Sequence, residues 1–298
     1  MQPTAQLSAR PLSEVLRDIA SLAKPRVTLM VLLTTAGGMW LAPGHVDPLV
    51  VLVMVLTTGL VVAAANSLNC WLERDSDRLM RRTANRPLPD RRLPPNVALA
   101  MGVVLGLFSI PVLTFAVNPL TGALGAIALI SYVTVYTPMK RTSSVALLVG
   151  SVPGALPPLM GWTAVTGELD APGLALFAIL FLWQVPHFIA ISIYRQEDYA
   201  RAGLKTLPGE RGEPIALVQT VLYTGFLVAA STMLYVYRVS GWIYLAAALV
   251  LGAGFLAVAI AGLRAKNKRL GARKTFIASL LYLTLLFAAV IVDGLVLG

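Results

Sequence analysis

Charged residues are scarce in this sequence, and cysteine is almost absent. Asp, Glu, Lys and Arg together make up 13% of the 298 residues, whereas a soluble domain carries about 25%. This low charge content excludes an ordinary soluble domain. The single cysteine, Cys70, excludes an intrachain disulfide. Acidic residues are also fewer than basic ones, 14 against 24, so the chain carries a net positive charge.

The first 26 residues lack the apolar core of a signal peptide, and their acidic residues Glu14 and Asp18 argue against an organelle transit peptide. We therefore expect residues 1–26 to form a cytoplasmic N-terminal segment, such as an amphipathic helix at the membrane surface. The remainder, residues 27–298, is expected to form a single transmembrane domain, because no separate soluble domain is visible.

Long hydrophobic runs dominate this remainder. Hydrophobic residues make up 57% of the chain, and the mean hydropathy is +0.76. The runs are continuous rather than alternating, which favours helices over barrel strands, and a helix needs about 20 apolar residues to cross a bilayer. The sequence therefore predicts an all-α polytopic membrane protein with nine transmembrane helices. The predicted segments are residues 27–43, 49–71, 97–117, 120–139, 145–165, 173–194, 215–237, 242–263 and 276–297.

The basic residues are confined to alternate connections. All of them except Arg238 lie in the N-terminal segment or in the connections after the second, fourth, sixth and eighth hydrophobic segments. The positive-inside rule then places the N-terminus in the cytoplasm and the C-terminus outside. Topology accounts for the formal net charge of +10, and no nucleic-acid partner is expected.

The second hydrophobic segment ends in a row of oxygen-bearing side chains. Asn66, Asn69, Glu73 and Asp77 fall within about 80° of one another on a helical wheel, whereas Asp75 lands on the opposite side. Two like charges at i and i+4 repel each other, so we expect a cation between them. Hard oxygen ligands favour Mg²⁺, which commonly shares its coordination with substrate phosphates.

Arginines follow this row, and Arg78, Arg82 and Arg86 suit bidentate contacts with phosphate oxygens. The alternative interpretation is a juxtamembrane loop whose arginines set the topology and pair with the acids. That alternative does not explain Asn66 and Asn69 inside the apolar run, where unpaired amides are costly.

A second polar stripe ends the sixth segment. His187, Tyr194 and Asp198 repeat the spacing of the first row, so both stripes are expected to end in a carboxylate at the same cytoplasmic surface. Pro186 should interrupt the helix locally. An intramembrane histidine is a functional candidate, as a metal or haem-iron ligand or as a base. The alternative is a hydrogen bond to a carbonyl group that the proline leaves free.

At these residues the sequence resembles the UbiA superfamily of intramembrane prenyltransferases. N-x-x-x-[DE]-x-x-x-D followed by R-T-A-N-R-P-L-P is similar to the first family signature, and W-Q-V-P-H-F…Y-R-Q-E-D-Y stands where the family carries a second acidic motif. His187 replaces an aspartate that is common in relatives with aromatic substrates. This departure points to the protohaem IX farnesyltransferase (haem O synthase) branch, with which residues 22–28, 136–142 and 150–162 agree. The residues that match the first signature are Asn69, Glu73, Asp77, Arg82, Asn85 and Arg86.

The resemblance implies a nine-helix bundle around a central cavity. It also implies a reaction that transfers the farnesyl group of farnesyl diphosphate to a vinyl group of haem B, with addition of water, giving haem O and pyrophosphate. Mg²⁺ is the expected cofactor and would stabilise the leaving pyrophosphate. The expected metal ligands are Asn69, Glu73, Asp77 and Asp198. The expected diphosphate ligands are Arg82, Arg86, Lys140 and Arg141.

Further roles follow from the same resemblance. His187 is expected to bind haem, either as an iron ligand or as the base for the added water, and Asn66 is expected to support a substrate. Tyr136 or Tyr194 is expected to face the farnesyl cation. Cys70 is interpreted as a small buried thiol. The expected catalytic residues are Asn69, Glu73, Asp77, His187 and Asp198.

The expected active-site loops, residues 73–96 and 195–214, face the cytoplasm from a bacterial plasma (inner) membrane. A haem A synthase or a terminal oxidase is the expected partner that receives the product. Two other functions remain open. One is a UbiA-type enzyme that prenylates an aromatic quinone precursor, and the other is a transporter with polar half-helices in its core.

Overall fold

The computed structural model describes residues 10–297, and the regular elements of this part of the chain are all helices. The first nine residues of the predicted N-terminal segment lie outside the described residues. Two π-helical turns, Leu113–Val117 and Ser131–Tyr136, continue α4 and α5. In chain order the α-helices are α1 (Leu12–Leu22), α2 (Pro25–Leu41), α3 (Pro48–Asp77), α4 (Pro95–Val112), α5 (Pro119–Ile130), α6 (Thr137–Met139), α7 (Ala146–Thr166), α8 (Ala171–Tyr194), α9 (Gln196–Arg201), α10 (Leu207–Arg211), α11 (Glu213–Val236), α12 (Trp242–Arg264) and α13 (Lys268–Leu297).

The prediction of an all-helical polytopic membrane protein is confirmed. Seven helices of the described chain are long and apolar enough to cross a membrane, and the bent pair α1–α2 brings the number up to eight. α7 has 21 residues, but Pro153, Pro157 and Pro158 lower its hydrophobicity. Counting α7 would give nine crossings, so the number nine and the orientation of the termini stay predictions.

Several of these helices begin at residues that favour a helix N-terminus. Prolines stand in the first turn of α2, α3, α4 and α5, where a missing N–H costs no helical hydrogen bond. Asp47 accepts a hydrogen bond from the backbone N of Leu49 at 2.7 Å, and Asn118 accepts one from the backbone N of Thr121 at 2.8 Å. These side chains satisfy backbone donors that a helix N-terminus leaves unpaired.

Glycines bring α2 and α7 into close contact. A Cβ atom on Gly38 would lie 2.0 Å from the carbonyl oxygen of Pro158, and one on Gly161 would lie 2.0 Å from the carbonyl oxygen of Thr35. Only a residue without a side chain lets the two backbones approach this closely. The contact fixes α2 in the bundle, and with it the connection from α1.

α8 differs from the prediction in two respects. Pro186 does not interrupt the helix, which is continuous to Tyr194, because packing against α7, α11 and α13 holds it despite one missing hydrogen bond. The helix then ends at Arg195, whose φ of −112° and ψ of 22° separate α8 from α9. The prediction that His187 and Asp198 lie on one face of the same helix was therefore wrong, because it assumed that the helix continues without interruption from His187 to Asp198.

Two helices extend farther into polar sequence than hydrophobicity predicts. α3 continues to Asp77 rather than ending near residue 71, and α13 begins at Lys268 rather than near residue 276. Apolar length measures the membrane crossing, whereas a helix can continue beyond it into polar surroundings. Glu73 and Asp77 thus lie on α3 and not in a loop, and the stretch predicted as the second loop contains α9 and α10.

α1 packs against α3 and α4 and is tied to the loop between them. Asp18 is buried and accepts hydrogen bonds from Arg10 at 2.8 Å and from Arg92 at 3.2 Å. Arg92 also donates to the carbonyl oxygen of Asn85 at 3.0 Å. The described part of the N-terminal segment therefore covers the R-T-A-N-R-P-L-P loop.

Candidate active site

The last turns of α3 carry a buried polar row. Asn66, Asn69, Glu73 and Asp77 are between 1% and 8% exposed, whereas the side chain of Asp75 is 68% exposed. α3 therefore turns the four side chains to the interior, as the helical wheel predicts. Two carboxyl groups are thereby withdrawn from water at the end of a membrane-length helix, which requires partners for both.

A network around Asn69 connects three elements. Lys24, which has left-handed backbone angles (φ 50°) between α1 and α2, donates from Nζ to Asn69 Oδ1 at 2.9 Å. Asn69 Nδ2 donates to Glu73 Oε2 at 2.8 Å and to Thr137 Oγ1 at 3.2 Å. Lys24 was missed as a site residue from the sequence, where it only counted as a topology signal. The only sequence signal that pointed to Lys24 was the agreement of the L-A-K-P-R-V-T segment with the family.

Lys140 supplies the cation beside Glu73. Its Nζ lies 2.5 Å from Glu73 Oε1 and 4.5 Å from the ring centroid of Tyr136. Burial alone would lower the pKa of Lys140, but Tyr136 and Glu73 outweigh it and raise the pKa, so the ammonium group stays charged. Arg141, the next residue, is exposed and reaches Ser76 Oγ of α3 at 3.4 Å.

The π-helical turn after α5 sets the register of this side of the site. Tyr132 and Tyr136 lie with ring centroids 5.2 Å apart, and Thr137 Oγ1 donates to the carbonyl oxygen of Tyr132 at 2.8 Å. Such π-turns inside α-helices are frequent at functional sites. Here the turn aligns two aromatic rings and Lys140 in one column.

The R-T-A-N-R-P-L-P loop folds back onto the end of α3. Arg86 pairs with Asp77 Oδ2 at 2.8 Å, and Thr83 Oγ1 donates to the carbonyl oxygen of Asp77 at 2.8 Å. Arg82 is exposed, and within residues 10–297 it makes no side-chain hydrogen bond or ion pair. One predicted phosphate ligand is thus engaged with the acidic row, and another is free.

Asp198 lies apart from the row, on α9. It is 8% exposed and pairs with Arg201, and Arg195 lies 3.9 Å from it. Within the described residues, no group of three or more His, Cys, Asp or Glu side chains is close enough together to hold a metal ion. The structure brings Asn69, Glu73 and Asp77 together on α3 but does not gather Asp198 into one such group with them.

His187 lies in an aromatic pocket between α8 and α13. It is 9% exposed, its ring stacks on Trp183 with centroids 4.6 Å apart, and Phe276 lies 5.0 Å away. Its Nδ1 is 2.8 Å from Ser279 Oγ. α13 therefore supplies the polar partner of His187.

Other candidate residues are placed as follows. Asn66 Nδ2 donates to the carbonyl oxygen of Ala23 at 3.1 Å, which satisfies part of an otherwise costly buried amide. Tyr194 lies beside two guanidinium groups, with Arg195 at 4.7 Å and Arg269 at 5.8 Å from its ring centroid. Cys70 is buried and free.

Three cavities surround the network. The first has a volume of about 330 Å³ and lies between α1, α3 and the R-T-A-N-R-P-L-P loop. The second has a volume of about 90 Å³ and adjoins Tyr136 and Lys140. The third, also of about 90 Å³, is largely apolar and adjoins Asn66 and Tyr132. Charged groups line the first cavity, including Lys24, Asp77 and Arg86. Polar and apolar spaces thus meet at the end of α3.

The fold and site define a class: a polytopic helical membrane protein whose buried carboxylates and cations meet apolar space at one end of the bundle. Residues 31–291 match the model of the UbiA prenyltransferase family, and the chain belongs to this family.

The chain is also similar to individual proteins of known name or structure. It is 51% identical to the protohaem IX farnesyltransferase of Myxococcus xanthus and 52% identical to that of Anaeromyxobacter sp., with 96% of this chain and 97% of each relative covered. A solved UbiA homolog from Archaeoglobus fulgidus, bound to GPP and Mg²⁺, superposes with a TM-score of 0.68 at 19% identity and covers 92% of this chain and 99% of its own. At that identity the structural likeness shows the fold alone.

Proposed function

We propose that this chain is a protohaem IX farnesyltransferase. It transfers the farnesyl group of farnesyl diphosphate to a vinyl group of haem B, with addition of water, and yields haem O and pyrophosphate. The observation that carries this proposal is the identity of 51–52% to relatives of that name over 96% of the chain. The site supports it with oxygen ligands and cations for a diphosphate and a buried histidine for a haem.

A Mg²⁺ ion would bind at the end of α3. Asn69, Glu73 and Asp77 offer hard oxygen donors on one buried face, which is the ligand type that Mg²⁺ prefers. Asp198 of α9 would join them only by exchanging its pairing with Arg201 for the ion. Bound Mg²⁺ would neutralise charge on the diphosphate as the allylic C1–O bond breaks.

An exchange of partners would prepare the leaving group. Without substrate, Lys140 and Arg86 neutralise Glu73 and Asp77. With these carboxylates engaged by a metal ion, the two cations would be available to donate to phosphate oxygens, together with Arg82 and Arg141 at the surface. Charge-assisted hydrogen bonds to the departing pyrophosphate strengthen as its negative charge grows.

The organic groups would occupy the apolar side of the site. The cavity beside Asn66 and Tyr132 suits a prenyl chain, because its lining is largely apolar. Tyr136, next to Lys140, would face the farnesyl cation, a contact worth about 1–2 kcal/mol. We prefer it to Tyr194, because Tyr136 lies in one column with Tyr132 and Lys140, beside Glu73. His187 would bind the haem, with Asn66 as a support.

The setting follows from charge and solubility. We propose a bacterial plasma membrane with the site open to the cytoplasm, where the water-soluble diphosphate arrives and where the basic connections are expected. The product would pass to a haem A synthase or a terminal oxidase.

The test is an assay on membranes with and without the chain, supplied with haem B, farnesyl diphosphate and Mg²⁺, followed by mass analysis of extracted pigments. A farnesylated haem is expected only with the chain, together with pyrophosphate release that a chelator abolishes. A parallel assay with 4-hydroxybenzoate covers the quinone-precursor alternative. Prenylated hydroxybenzoate with unmodified haem would contradict the proposal, and transport without pyrophosphate release would favour a transporter.

A further inference from the structure

Ser279 binds both members of the stacked pair on α8. Its hydroxyl oxygen lies 2.8 Å from His187 Nδ1, and its carbonyl oxygen accepts a hydrogen bond from Trp183 Nε1 at 2.7 Å. The imidazole and indole planes differ by 24°. One residue of α13 therefore fixes the position of two aromatic rings that α8 carries.

The proton positions follow from counting donors. Ser279 Oγ also lies 2.7 Å from the carbonyl oxygen of Phe276, to which it can only donate. A hydroxyl has a single proton, so both contacts are satisfied together only if His187 Nδ1 carries a proton and donates to Ser279. The other tautomer would need the same hydroxyl proton for Nδ1 and would leave the contact with Phe276 unmade.

We propose that Ser279 is a positioning residue that holds His187 in the Nδ1–H tautomer and so directs the lone pair of Nε2 to the haem iron. This inference rests on the proposed function. A ligand role keeps the imidazole neutral, whereas a base would become a cation among Trp183, Phe188 and Phe276. In the described residues no carboxylate lies within ion-pair distance of His187, and an unpaired buried charge is costly.

Nitrogen NMR reads the tautomer without any substrate. The chain has only two histidines, so protein labelled with ¹⁵N-histidine in lipid nanodiscs gives two sets of ring signals, and His45→Gln removes the exposed one. We expect a protonated Nδ1 and an unprotonated Nε2 for His187. Ser279→Ala should shift the population toward Nε2–H, and Ser279→Thr, which keeps the hydroxyl, should not. A protonated Nε2 in the unmodified protein would overturn the assignment.

Haem titration followed by the Soret band tests the second half of the inference. Loss of such a supporting hydrogen bond typically costs about 10–100-fold in metal affinity. We expect that loss of haem affinity in Ser279→Ala, near-normal affinity in Ser279→Thr, and unchanged farnesyl diphosphate binding in both. Equal haem affinity in all three proteins would overturn the positioning role. Failure of the unmodified protein to bind haem would instead overturn the proposed function, and the iron contact with it, whatever the tautomer.

Discussion

Single residues at the end of α3 are neutralised by cations from other elements. Glu73 pairs with Lys140 from the connection after α6, and Asp77 pairs with Arg86 from the loop after α3. A buried carboxylate without such a partner is strongly destabilising. The pairs therefore keep the site folded before substrate arrives, and the same groups are then available to the metal and the phosphates.

Glu73→Gln and Asp77→Asn should each lower farnesyl transfer by about 10²–10³-fold, because each removes a negative oxygen ligand while keeping the side-chain shape. The measurement is haem O formation by purified protein in nanodiscs. Asp75→Asn is the matched control, since Asp75 lies on the exposed side of the same helix, and it should retain normal turnover. Normal turnover of either buried variant would contradict the metal assignment.

At the scale of elements, one buried carboxylate links α1 to the R-T-A-N-R-P-L-P loop, beside an apolar cluster that the two share. Asp18 forms ion pairs with both Arg10 and Arg92. Arg92 also donates a hydrogen bond to the loop backbone at the carbonyl oxygen of Asn85. The loop in turn presents Arg86 to Asp77. The position of one arginine of the site therefore depends on a helix that precedes the transmembrane bundle.

Asp18→Asn should release α1, because a neutral amide loses charge-assisted hydrogen bonds that contribute about 1.5–3 kcal/mol. Faster hydrogen–deuterium exchange is expected in residues 12–22 and 85–92, with the other helices unaffected. Glu14→Gln is the control, since Glu14 contacts Arg10 only at 3.4 Å and is 43% exposed. Unchanged protection of α1 in Asp18→Asn would show that apolar packing alone holds the helix.

The close contact between α2 and α7 should also tolerate no added side chain. Gly38→Ala should destabilise the protein by about 1–3 kcal/mol, because a methyl group would overlap the backbone of α7. Thermal unfolding in detergent measures the loss. Gly254→Ala in α12 is a matched control, because its Cβ would meet nothing within 4 Å. An equal effect of the two substitutions would argue against close backbone contact.

At the scale of the whole molecule, charge asymmetry predicts the orientation in the membrane. Exposed cysteines placed at Arg81 and Arg238 in a Cys70→Ser background report the two faces. An impermeant thiol reagent should label Arg238→Cys in intact cells, and Arg81→Cys only after permeabilisation, because positive connections remain in the cytoplasm. The reverse labelling pattern would contradict the proposed topology and the cytoplasmic site.

Much of the architecture was predictable because the controlling forces are local. Apolar length predicted each long helix, and the spacing of Asn66, Asn69, Glu73 and Asp77 predicted one shared face. The prediction failed where α8 ended at Arg195 and where it continued despite Pro186. At Pro186, packing against other helices outweighed the local signal.

The membrane class and the acidic row could be read from the residues alone, because hydrophobic length and helical periodicity act over a few turns of one chain segment, and the family could be read from the resemblance of its two motifs. Helix packing alone fixed which groups meet: Lys24 with Asn69 across 45 residues, and His187 with Ser279 across 92. Contacts between distant segments depend on how the helices pack. That packing leaves no periodic mark in the sequence, so neither partner could be read from the residues around it.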